Sequence, residues 1–123
     1  MKIINPPDLR KPGGYSHGVV YPNGRTLFVA GQAAPPGSFV EQFGKALAAT
    51  VSVVREAGGA PEHVGTMTIF VTSIDEYLAS LKPLGVAYRK HMGDHYPAMA
   101  LVQVARLVDP AAKVEIQSTA VLP

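Results

Sequence analysis

Glu115 stands between Val114 and Ile116, a carboxylate in the middle of a β-prone run. Glutamate is rarely buried without a partner, so this side chain faces either solvent or a cleft. In a cleft it could take a proton from water or hand one to a substrate. His17 could carry a proton or bind a ligand, although an ordinary histidine at a strand end is the plainer reading. It does not activate Ser16, because neighbours on a strand point to opposite faces. His91 and His95 are four apart, a spacing that can hold a metal on a helix. Gly93 interrupts them, however, and Met92 stands where the zinc-protease motif has glutamate. A solvated turn is the better reading, and neither a metal nor another cofactor is expected. Tyr96, ahead of Pro97, has a flat face for stacking on a planar ligand and an equal claim to packing at a subunit contact. With no cysteine there is no thiol nucleophile, disulfide framework or zinc-thiolate site.

These groups need elements to hold them. Ser16 to Tyr21 and Thr26 to Ala30 read as two strands, and the intervening Asn23-Gly24 predicts a hairpin between them. Ser38-Phe39-Val40-Glu41 fits a capping box, and Phe39, Phe43, Ala46, Leu47, Thr50, Val51 and Val54 follow at helical spacing until Gly58-Gly59. Val64 to Val71 predicts a third strand. A second capping box, Ser73-Ile74-Asp75-Glu76, opens a helical region to about His91 that Pro83 should kink or break. The run Ala98 to Val102 is apolar without a break and predicts a strand buried on both faces. A last strand is expected from Lys113 to Val121. Two helices cover one face of such a sheet, so the other face needs a partner chain. The expectation is an α+β domain that associates through its sheet.

The whole chain, residues 1–123, reads as one domain with no repeat or linker. Hydrophobic residues are 47% and charged residues 16%, a globular balance. The net charge is +2, and the eleven Lys and Arg are scattered rather than clustered. A nucleic-acid partner is therefore not expected, despite a pI near 9.0. Pro6 and Pro7 fall where a signal peptide needs an apolar helix, and no apolar run approaches the ~20 residues of a membrane span. A cytoplasmic address, with no membrane partner, is the expectation.

Several motifs, in this order, resemble the RidA/YjgF family of reactive-intermediate (enamine/imine) deaminases. They are Gly14-Tyr15-Ser16, Phe28-Val29-Ala30-Gly31-Gln32, Glu56-Ala57-Gly58-Gly59 and Thr68-Ile69-Phe70-Val71-Thr72. Pro97-Ala98, Val102-Gln103-Val104-Ala105-Arg106-Leu107 and Val114-Glu115-Ile116 complete the set. The resemblance implies a chorismate-mutase-like mixed β-sheet with two helices packed on one face. It also implies a homotrimer with a small-molecule site in each inter-subunit cleft. The implied chemistry is hydrolysis of a 2-imino acid, or its enamine tautomer, to a 2-oxo acid and ammonia. By the same resemblance Glu115 is the catalytic, water-activating carboxyl and Tyr15 joins it in the pocket wall. His17, Ala30, Gly31, Tyr96, Met99 and Ala100 are then the substrate-binding positions.

The chain departs from the family pattern where the substrate carboxylate would bind. The family's Pro-Ala-Arg-Ser reads Pro97-Ala98-Met99-Ala100, so the arginine is Met99 and the serine is Ala100. Losing such a guanidinium forfeits roughly 1.5–3 kcal/mol per charge-assisted hydrogen bond. Ala30 replaces a serine often found before Gly-Gln, His17 replaces a glutamine, and an asparagine position falls on Gly85, ahead of Tyr88. These changes imply an imine or enamine hydrolase of altered specificity. The alternative is a non-catalytic trimer that binds a small molecule or protein partner in the same cleft. Endoribonuclease-like activity, an older label of the family, is the third and weakest reading.

Overall fold

The chain, described over residues 1–123 in a computed structural model, begins with β1 (Lys2–Ile4), β2 (Gly18–Val20), β3 (Arg25–Gln32) and α1 (Phe39–Glu56). A short 3-10 turn, β4 (Val64–Val71), α2 (Ile74–Leu78), α3 (Leu81–Met92), β5 (Ala98–Gln103) and β6 (Val114–Leu122) follow. The four longer strands form a mixed sheet in the order β3-β6-β4-β5, in which only β4 and β5 are parallel.

Helix α1 begins where the Ser38 hydroxyl accepts from the Glu41 amide at 3.2 Å, filling one of the helix's orphan donors. The Glu41 carboxylate does not reach back to the cap backbone; it accepts the Ser38 hydroxyl proton at 3.0 Å. At the other end Gly58 adopts φ +92°, and the amides of Gly58 and Gly59 donate to the carbonyls of Arg55 and Val54. That pair of bonds is a Schellman stop, which favours glycine at the left-handed position. Ser73 caps α2 in the same way as Ser38 caps α1. Pro83 breaks the second helical region as expected: α2 ends at Leu78, and Pro83 sits in the first turn of α3, where its missing amide has no helical acceptor to lose.

The core lies between the helices and one face of the sheet. Val29, Met67, Ile69, Val114 and Ile116 point into it and meet Phe43, Leu47, Val54 and Leu84. Gln42 is fully buried in α1 and fully bonded. Its amide nitrogen donates to the carbonyls of Gly37 and Ala111, and its oxygen accepts from the Lys113 amide. This clamp fixes the chain just before β6.

Two expectations fail within the chain. The Asn23-Gly24 hairpin does not form, because β2 pairs with β1 and β3 pairs with β6. Tyr21 explains the divergence: its hydroxyl donates to the carbonyls of Glu62 and Val64, tying the end of β2 to the start of β4. The chain then crosses to Arg25, which pairs with Leu122. Nor is β5 covered on both faces. It is an edge strand whose Met99 and Leu101 pack on the core, while Ala100 and Val102 are exposed on the side away from the helices. Phe28, 79% exposed, lies on that same open side. No helix is long and apolar enough to cross a membrane.

Candidate functional site

Two groups of candidate residues lie on opposite faces of the sheet. Met99 faces the helices, paired across the strands with the buried Met67. It lines a cleft of about 430 Å³ between β5, the two later helices and the Gly13–Tyr15 segment. Tyr15, Tyr77, Tyr88 and Tyr96 supply aromatic wall; Leu81, Leu84 and Leu101 supply aliphatic wall. Tyr96 stacks on Tyr88 with centroids 5.1 Å apart and planes 8° from parallel. The Tyr88 hydroxyl donates to the His95 carbonyl at 2.7 Å. Burial, and then the neighbouring Tyr96, pushes the Tyr88 phenol well above its ordinary value, so it stays neutral at working pH.

The second group is Glu115, Gly31, Ala30 and Ala100. Glu115 pairs with Phe70 across the sheet, while its neighbours Val114 and Ile116 enter the core, so its carboxylate stands on the open face. It crosses Gly31: a Cβ built there would lie 2.6 Å from Glu115 Oε2. The register of β3 against β6 shifts between Val29 and Gln32, and this irregularity brings the bare Gly31 backbone under the carboxylate. Ala30 is exposed beside it. Ala100 is also exposed, pointing away from Met99 because strand neighbours alternate.

Tyr15 and His17 belong to the amino-terminal segment. The Tyr15 hydroxyl accepts from Arg10 Nε at 3.0 Å, and the Tyr15 and His17 rings meet edge to face at 5.3 Å. His17 Nε2 donates to the Arg10 carbonyl, and the His17 amide donates to Asn5. Tyr15 therefore lines the cleft, whereas His17 braces Tyr15 from behind. The sequence pair His91 and His95 separates into different roles. Burial, and then Lys90, lowers the affinity of His91 for a proton, and His95 Nε2 donates to the Val64 carbonyl.

Sequence reasoning did not find Arg89, which lines the cleft from α3. The available signal was its place one helical turn after Gly85, since long helical side chains fold back toward the preceding turn.

A single chain thus holds an aromatic cleft on one side of its sheet and an outward carboxylate on the other. A ligand touching both needs two copies of the chain. The family model described as Endoribonuclease L-PSP matches residues 8–122. Protein mmf2, mitochondrial, from Schizosaccharomyces pombe is 30% identical over 125 residues, covering 95% of this chain and 94% of that protein. Among solved structures, the Rid-family protein YyfB from Yersinia pestis is 29% identical with a TM-score of 0.84, covering 98% of each chain. E. coli TdcF with bound serine is 26% identical with a TM-score of 0.70 and covers 100% of each chain. With the cleft and the carboxylate both inside the matched span, the chain belongs to the Rid/YjgF family.

Proposed function

We propose that the protein is a homotrimeric hydrolase of a reactive imine or its enamine tautomer, with a specificity altered by Met99. The observation that carries this reading is Glu115 held over the bare Gly31 backbone, on the face of the sheet that a neighbouring copy would cover. In the proposed assembly that carboxylate meets the aromatic cleft of the next protomer. Glu115 takes a proton from water as the water oxygen bonds to the C=N carbon. Glu115 then returns that proton to the nitrogen. The resulting amino alcohol gives up its hydroxyl proton as it collapses to a carbonyl, its nitrogen gains that proton through the same carboxylate, and ammonia leaves. An enamine is first protonated at carbon, which gives the imine. Tyr15 and Tyr96 hold the organic body of the substrate, and the Gly31 backbone helps to orient it. Ala30, Ala100 and His17 shape the surroundings in this proposal without entering the proton transfers. The bound serine of the TdcF structure supports a small amino-acid-like ligand for the fold.

Ammonia release from freshly generated imines, with and without protein, tests the proposal. Wild type should accelerate it, and Glu115→Gln should lose about 10²–10⁴-fold, the usual worth of a positioned proton carrier. No acceleration of any imine, neutral or charged, would favour the second reading. That reading is a trimeric binding module, which the thioether at position 99 supports. A thermal-shift ligand screen followed by turnover assays on the hits separates the two. Ribonuclease activity that survives stringent purification would be needed to support the third. The cytoplasmic address belongs to the same proposal, and the mitochondrial name of the S. pombe relative makes cell fractionation its test.

A further inference from the structure

The cleft that contains Met99 still holds a cation. Of the fourteen residues that line it, Arg89 alone is charged. Its guanidinium folds back over Gly85, and a Cβ at that glycine would lie 3.2 Å from Arg89 Nη1. Any side chain at position 85 would crowd the guanidinium; glycine lets it lie against the helix and into the cleft mouth. Arg89 has no acidic partner: the chain's one salt bridge joins Lys113 to Glu76, outside the cleft. An unpaired guanidinium over apolar and aromatic walls is suited to an anion carried on an apolar body. Its planar fork matches a carboxylate with two parallel hydrogen bonds.

We infer that Arg89 is the carboxylate-binding residue of this cleft, and that the ligand is a carboxylate bearing a bulky apolar or aromatic group. The strand wall, where Met99 stands, carries no charge, and the helix wall carries Arg89. Met99 on β5 leaves an unbranched, polarizable surface for the ligand body. Tyr96, held flat by its stack on Tyr88, offers a planar face beside it. The substrate class that follows is a 2-imino acid derived from a large apolar or aromatic amino acid. As a statement about substrate this rests on the hydrolase reading above; as a statement about binding it stands without it.

The test has a binding arm and a turnover arm, on the full chain. Phenylpyruvate, a stable 2-oxo acid, is titrated calorimetrically into wild type, Arg89→Ala and Arg89→Lys. Binding should weaken about 10- to 100-fold in Arg89→Ala, as for loss of one charge-assisted pair, and should be partly kept by Arg89→Lys. Pyruvate, which lacks the apolar body, should bind more weakly than phenylpyruvate to wild type. Equal phenylpyruvate binding by wild type and Arg89→Ala, or none by wild type, would overturn the inference. So would pyruvate binding as tightly as phenylpyruvate. In the turnover arm, 2-imino-3-phenylpropanoate is compared with its decarboxylated counterpart, 2-phenylethanimine. Arg89→Ala should slow ammonia release from the first by a similar factor, chiefly through KM, and leave the second unchanged. Arg89-dependent binding without turnover of either imine would sink the hydrolase reading and keep the anion site. Turnover of the first imine untouched by Arg89→Ala would do the reverse.

Discussion

A methyl group at position 31 would come within 2.6 Å of Glu115 Oε2, closer than packed atoms approach. The clash is with the flexible end of a side chain, so the fold can survive while the carboxylate moves. We expect Gly31→Ala to lower thermal stability by less than about 1 kcal/mol, as exposed substitutions usually do. Ammonia release should nevertheless fall about tenfold or more, because a displaced proton carrier loses its geometry. A variant with full turnover would separate Gly31 from the role proposed for Glu115. Residue identities in this region were legible in the sequence: Glu115 was conspicuous between two core residues, and Met99 was conspicuous against the family motif. Their placement was less so. The family resemblance implies that Met99 and Ala100 are both substrate-binding positions, yet strand alternation sends them to opposite faces. Arg89 was hidden because a lone arginine on a helix has no distinctive pattern until the fold shows what it faces.

At the scale of elements, Gln42 couples the helix layer to the strand that carries Glu115. Gln42→Ala would strip partners from the carbonyls of Gly37 and Ala111 and from the Lys113 amide. Leaving such buried groups unpaired should cost about 2–4 kcal/mol in urea unfolding. A cost near zero would mean that the segment before β6 is held by other contacts. Tyr21 gives a pH signature. Burial first, and the charge of Glu62 second, pushes its phenol from 10.0 up to about 12. A group whose value is raised on folding stabilises fully below its unfolded value and loses that effect as pH climbs through the folded one. Stability should therefore fall between about pH 10 and 12, and Tyr21→Phe should lack that component of the fall. The same tyrosine explains why the Asn23-Gly24 signal misled. Turn chemistry is local, whereas the bonds from Tyr21 to Glu62 and Val64 join residues more than forty positions apart in sequence. The capping serines, the Gly58-Gly59 stop and the Pro83 break are local as well, and there the sequence was sufficient.

For the whole molecule, the open face of the sheet is the surface that needs cover. Phe28 and Val102 are 79% and 42% exposed there, on the same side as Glu115. The unbroken apolar run from Ala98 to Val102 predicts a strand covered on both sides, and a single chain supplies only one cover. In the proposed homotrimer the other cover is a second copy. Phe28→Asp should then shift the mass measured by light scattering from three chains toward one and abolish turnover with it. A trimer that survives the substitution would place the contact elsewhere. The most direct measurement remains ammonia release from a freshly generated carboxylate imine with a large apolar side chain, wild type beside Glu115→Gln. Glu115's proposed role as proton carrier requires acceleration by wild type and its loss in the variant, with assembly unchanged. No acceleration by wild type, or equal acceleration by both proteins, would contradict it.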